Sequence, residues 1–96
     1  MAAYVITDVQ VSDPDKYKDY AALSPGAVKA AGGEFLVRGG ATEVLEGNFQ
    51  PGRVVVARFE SVQAARDFYN SVLYTEARAK RAGATSHFNM FVVEGV

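Results

Sequence analysis

The sequence predicts one α+β domain whose elements run strand, helix, strand, strand, helix, strand. Three observations predict it. Runs rich in β-branched and aromatic residues stand at Tyr4–Val11, Glu34–Arg38, Arg53–Phe59 and Phe88–Val93. Between the first and second of these, and again between the third and fourth, apolar residues recur at helical spacing behind capping residues and ahead of glycines. The length of 96 residues, with 49% hydrophobic and 22% charged, suits a single globular core spanning residues 1–96.

The first strand, Tyr4 to Val11, alternates in part between apolar and polar residues. Ser12 or Asp13 then caps a helix, with Pro14 in the opening turn where no N–H donor is needed. Tyr17, Tyr20, Ala21 and Ser24 form its stripe. Pro25 is expected to interrupt it, leaving a second short segment with Ala27, Val28 and Ala31 before Gly32-Gly33 ends it. Glu34–Arg38 is the second strand, and Thr42 to Glu46 is also strand-like. Gly39-Gly40 between them reads either as a hairpin turn or as a bulge in one long bent strand, and the bulge is preferred.

The third strand, Arg53–Phe59, follows the turn signals of Gly47 to Gly52. Ser61 caps the second helix, whose expected stripe is Val62, Ala65, Phe68, Tyr69 and Val72. A break is expected over Ser71 to Tyr74, with helix resuming from Thr75 to Arg81 and closing at Gly83. The last strand is Phe88 to Val93. This order is the ferredoxin-like βαββαβ arrangement, a four-stranded antiparallel sheet with two broken helices on one face.

Alternation splits each strand into two sets. Val5, Thr7, Val9, Val11, Phe35, Val37, Val55, Ala57 and Phe59 form a nearly apolar set suited to the helices. The other set is half polar: Tyr4, Ile6, Asp8, Gln10, Leu36, Arg38, Val54, Val56 and Arg58. Its apolar members, with Phe91 and Val93 or Met90 and Val92, would be left open on a single chain. Covering ~500 Å² of such surface at ~25 cal/mol per Å² contributes on the order of 10 kcal/mol before association costs. A second copy of the same sheet is the simplest cover, so the expected partner is the chain itself, as a homodimer.

Charge and composition exclude several classes. Net charge is −1, and the ten basic residues form no run, so no nucleic-acid partner is expected. Arg78, Lys80 and Arg81 read as a solvated helix end. There is no cysteine and only one histidine, which leaves too few ligands for a zinc site. With no signal-peptide pattern at the N-terminus and no bilayer-length apolar segment, the expectation is a cytoplasmic protein with no membrane partner.

Several stretches together resemble a known family. They are Gly33-Glu34-Phe35-Leu36-Val37-Arg38-Gly39-Gly40 with Val44-Leu45-Glu46-Gly47, then Phe59-Glu60-Ser61 with Ala64-Ala65, and Phe68-Tyr69 with Ser71 and Tyr74. The opening Asp13-Pro14 with Tyr17 and Tyr20, and the ending Val93-Glu94-Gly95-Val96, agree with it. The family is that of domain of unknown function 1330, and the resemblance covers essentially the whole chain. Asn48 and Phe49 depart from it, standing where an acidic residue and a tryptophan are expected. The resemblance implies a dimeric α/β barrel in which two ferredoxin-like subunits pack sheet against sheet. It implies no particular reaction, since the wider superfamily includes cofactor-free monooxygenases, lactone isomerases, haem-degrading enzymes and regulatory ligand-binding domains.

Four residues are the candidate ligand-binding set: Arg38, Tyr74, Tyr69 and Tyr17. Arg38 ends a strand beside two glycines and can clamp a carboxylate with paired hydrogen bonds; the structural alternative is an ion pair with Glu46 or Asp8, or a dimer contact. The tyrosines, with Tyr20, combine an apolar ring with a polar tip, which suits small oxygenated ligands; plain core packing is the alternative. Tyr74 stands out because it follows the helix break. His87 could serve as a general base or haem ligand, but an exposed loop position is expected for it. Among carboxylates, Asp8, Glu46 and Glu60 are the ones expected at strand positions or strand ends, where one beside Arg38 or Arg58 could act as a base, although no spacing makes any pair converge. No catalytic residue is assigned, and neither metal nor cofactor is expected. The functional expectation is a small homodimer that binds or transforms a small organic molecule, the alternative being a non-catalytic ligand-sensing or structural dimer.

Overall fold

The computed structural model covers residues 1–96 and holds the strands β1 (Ala3–Val11), β2 (Glu34–Arg38), β3 (Arg53–Phe59) and β4 (Thr85–Glu94). The helices are α1 (Pro14–Ala30), α2 (Val62–Tyr69) and α3 (Val72–Lys80). The strands form one antiparallel sheet in the order β2-β3-β1-β4. All three helices cover the same face. The alternation of β1 is the foundation: Ala3, Val5, Thr7 and Val9 are buried against the helices, while Tyr4, Ile6 and Asp8 are half-buried on the other side.

Helix α1 starts as expected. The Asp13 carboxylate accepts the Lys16 N–H at 3.2 Å, and Pro14 occupies the first turn. It does not break at Pro25. The proline removes one rung of the ladder, yet the helix runs on to Ala30 because Ala27 and Val28 lie in the same core as Tyr17 and Tyr20. Burial of the last turn outweighs the missing bond. Gly32, at φ +77°, then reverses the chain, and Gly33 has no room for a side chain, since a Cβ there would lie 2.6 Å from the Phe59 ring.

The expected strand at Thr42 to Glu46 does not form. Strand β2 ends at Arg38, Gly39 takes φ +76° and donates its N–H to the Val54 carbonyl at 2.8 Å, and residues 40–52 carry no regular structure. Gly39-Gly40 is therefore neither the bulge nor a two-residue hairpin. The irregularity lies two residues earlier. The β2–β3 register slips between Phe35 and Val37, so that Phe35 faces Ala57 but Val37 faces Val56 and Arg38 faces Val55. The extra residue is Leu36, unpaired and half-exposed. This slip reverses the faces assigned to Val37 and Arg38 from simple alternation.

The second helix breaks at Asn70-Ser71, slightly ahead of the expected Ser71 to Tyr74. Ser71 serves both sides of the break: its hydroxyl donates to the Phe68 carbonyl at 2.7 Å and accepts the Tyr74 N–H at 3.1 Å. The break resets the helical phase. Ala65 and Phe68 are buried, but Tyr69 and Val72 turn outward, and Tyr74 and Ala77 take over the inward stripe. Strand β4 begins at Thr85, earlier than expected, so His87 belongs to a strand opposite Gln10 and not to a loop. The register also selects Phe91 and Val93, opposite Ile6 and Tyr4, for the sheet face away from the helices. That face carries Tyr4, Ile6, Val37, Val54, Val56, Phe91 and Val93. No helix is long and apolar enough to cross a membrane.

Candidate functional site

Three spaces lie in a row between the helices and the sheet, and neighbouring ones share walls. At one end is a groove of about 380 Å³ beside β4 and the α2 C-terminus, bordered by Phe68, Tyr69, Arg81, Phe88 and Met90. In the middle a gap of about 30 Å³ shares Val5, Phe68 and Met90 with it and adds Thr7, Tyr20 and Tyr74. At the other end a crevice of about 40 Å³ shares Thr7, Tyr20, Ser24 and Phe35 with the gap and opens between Tyr17, Arg38 and Arg53.

The candidate residues are spread along this row instead of meeting in one cavity. Tyr74 is fully buried at its centre, 0% exposed, and its hydroxyl is 2.8 Å from that of Tyr20. Tyr69 lines the groove, half-exposed, with its ring centroid 5.7 Å from that of Tyr74 and the Arg78 guanidinium 4.5 Å above it. Tyr17 and Arg38 border the far crevice. The register slip brings Arg38 there, to the helix side of the sheet. Its guanidinium rests 4.7 Å from the Phe35 ring and forms no ion pair.

None of the three carboxylates pairs with Arg38 or Arg58. Arg58 meets Glu34 at 4.0 Å on the open face. Asp8 accepts the Gly52 N–H at 2.7 Å and stands 3.5 Å from His87 Nε2, also on that face. Glu46 is exposed in the segment 40–52 and Glu60 is exposed after β3. No cluster of three or more potential metal-ligating side chains occurs.

Burial is the main influence on the tyrosine hydroxyls. It raises Tyr20 furthest, and the neighbouring Tyr74 hydroxyl raises it further. Tyr74 is also raised by burial, partly offset by its bond to Tyr20 and by the Arg81 charge. Tyr17 is raised by burial and drawn back by Arg53 and Arg81. All three phenols are therefore held neutral, as hydrogen-bond donors and acceptors and not as bases.

Three further residues shape the row: Tyr20, Arg53 and Arg81. Each has a sequence signal. Tyr20 is three residues beyond Tyr17 on the buried stripe. Arg53 shares the parity of Val55, Ala57 and Phe59, which places it toward the helices. Arg81 follows Tyr74 and Ala77 at helical spacing, so it continues an inward stripe. It is no solvated helix end: its guanidinium lies 3.7 Å from the Phe88 ring centroid and 5.3 Å from that of Tyr20.

The model of the family described as domain of unknown function (DUF1330) matches residues 2–96. The chain belongs to that family. Among solved structures it is similar to a protein of unknown function from Rhodopseudomonas palustris, at 20% identity and TM-score 0.75, covering 99% of this chain and 82% of that one. It is also similar to a dimeric ferredoxin-like protein of unknown function from Thermobifida fusca, at 16% identity and TM-score 0.60, covering 99% of this chain and 92% of that one. A third is a dimeric protein of unknown function and ferredoxin-like fold from Bacteroides fragilis, at 8% identity and TM-score 0.59, covering 98% and 96%. These likenesses establish the ferredoxin-like fold. No curated protein gives a significant match.

Proposed function

We propose that the protein is a homodimer that binds a small organic molecule in the groove between β4 and the α2–α3 junction. The observation that carries this reading is the groove itself. At about 380 Å³ it falls in the ~300–1,000 Å³ range of small-molecule sites, and its walls are mostly apolar with a few polar groups at set positions. Tyr69, Phe68 and Phe88 offer ring faces, Met90 an adaptable thioether, and Asn70 and Arg81 the polar contacts. A depression of similar size, about 340 Å³, lies between α1 and the α2–α3 pair, but its walls are mainly alanine methyls.

Arg38, Tyr17, Tyr69 and Tyr74 take graded parts in this reading. Tyr69 touches the ligand. Tyr74 supports Tyr69 from beneath, and Tyr17 and Arg38 form the far wall of the row. The dimer is supported by the apolar centre of the open face, where Ile6 stands opposite both Val56 and Phe91. The Thermobifida and Bacteroides proteins, which share the fold, are described as dimeric.

Mass spectrometry under native conditions, followed by denaturation and extraction, tests for a compound carried through purification. Ligand-detected NMR with a set of indole and naphthalene derivatives tests the groove directly. Met90→Trp fills it and is expected to abolish binding while leaving the helical signal intact. Binding that survives this substitution rejects the groove as the site.

A further inference from the structure

We infer that the groove selects a monoanionic ligand, an aromatic or otherwise flat organic carboxylate, and that Arg81 is the residue that anchors its charge. This rests on the groove being the binding site and specifies what it takes.

The charged residues on the groove wall are Arg66 and Arg81, both cations, in a chain of net charge −1. Arg66 is exposed on α2, whereas Arg81 is half-buried at the α3 C-terminus. A half-buried guanidinium is ordinarily met by a carboxylate, because leaving the charge without a partner is costly. Arg81 has none. The carboxylates near basic side chains in the structure are Glu34, paired with Arg58, and Asp8, 3.5 Å from His87, and no side-chain hydrogen bond from Arg81 is formed.

Its position is nonetheless fixed. The guanidinium packs 3.7 Å from the Phe88 ring centroid and is 5.3 Å from that of Tyr20, so ring faces restrain its plane while its nitrogen edge remains available. A planar fork held in place with unused donors matches a carboxylate in a bidentate manner and loses little entropy on binding. The same charge draws down the hydroxyls of Tyr17, Tyr20 and Tyr74, so its field reaches the interior of the row. The apolar wall of Tyr69, Phe68 and Met90 then receives the ligand's ring.

The experiment compares 2-naphthoate with its uncharged amide, 2-naphthamide, by saturation-transfer NMR and fluorescence titration. Wild type is expected to bind the carboxylate at least about tenfold more tightly, the effect of a hydrogen bond to a charged group. Arg81→Met keeps the apolar stem against Phe88 and is expected to equalise the two probes. Arg81→Lys should restore part of the preference, and it keeps the test valid if the methionine variant folds poorly. Lys80→Met, which removes the same charge one residue away on an exposed site, should leave the preference intact. Equal binding of the two probes to wild type overturns the anionic assignment, and a preference that persists in Arg81→Met overturns Arg81 as its anchor, both leaving the groove in place. Failure of both probes to bind overturns the groove as well.

Discussion

The hydroxyl oxygens of Tyr20 and Tyr74 stand 2.8 Å apart inside the protein, joining α1 to α3 across the layer that covers the sheet. The ring centroids are 6.1 Å apart at 78°, an edge-to-face arrangement, so each ring also packs on the other. Removing one hydroxyl leaves its neighbour buried with a single weak alternative for Tyr74, the Met90 sulfur at 4.0 Å. Tyr20→Phe and Tyr74→Phe are each expected to cost about 1–3 kcal/mol. The double variant should cost clearly less than the sum, with a coupling of about 1 kcal/mol in a urea-unfolding cycle. Strict additivity would deny the pair.

Alkaline pH should unfold the protein through these same groups. Tyr17, Tyr20 and Tyr74 have folded-state values raised above the ordinary 10.0. The folded chain therefore holds protons that the unfolded chain releases once the pH passes that value. Their contribution is fully present below pH 10.0 and is lost progressively as the pH rises toward the folded values. Through these groups denaturant midpoints should fall as the pH rises above that value. In a spectroscopic titration the tyrosinate absorbance of these three should appear together with loss of helical signal, not ahead of it.

The start of β3 is tied down by Gly52. Its N–H reaches the Asp8 carboxylate at 2.7 Å, and a Cβ at that position would collide with the Val9 carbonyl. Backbone cannot step aside as a flexible side chain can. Gly52→Ala is expected to destabilise by about 1–3 kcal/mol. Asp8→Ala should have a milder effect on stability and a marked one on hydrogen exchange, with the Gly52 amide losing protection while those in the centre of β1 keep theirs.

If the open face joins two copies as proposed, a charge at its centre should separate them. Val56 lies opposite Ile6 on one side and Val37 on the other. Val56→Glu is expected to give a folded monomer by sedimentation, with an unchanged far-ultraviolet spectrum. A variant that still sediments as wild type would place the subunit contact elsewhere.

The order of elements was legible because it rests on local signals: capping residues at Asp13 and Ser61, β-branched runs, and glycines after the helices. Where the structure departs, a non-local term decides. Pro25 lies within α1 because the turn beyond it is buried, and burial depends on partners far along the chain. Thr42 to Glu46 has strand-forming residues but finds no neighbour to pair with. His87 becomes part of β4 because Gln10 is there to receive it. The site was legible in its residue types more than in its arrangement. Tyr74 ranks first among the tyrosines in the sequence because it follows the helix break; the structure buries it with its hydroxyl on that of Tyr20, and it is Tyr69 that borders the groove. Arg81 follows Tyr74 and Ala77 on one helical face, but its basic neighbours Arg78 and Lys80 masked it.

Leu36 makes strand β2 a counter that loses a beat. Every residue after it is displaced by one step relative to its partner strand, and so the cation at position 38 is delivered to the helix side of the sheet instead of the open side. Pairing all five residues of this strand without the slip would restore strict alternation along the full sequence. It would then send the guanidinium into the apolar face and Val37 toward Tyr17, with no change in net charge. Loss of the slip, with no change in chain length, is thus a route by which a related chain could exchange a cationic crevice for a cation on the open face.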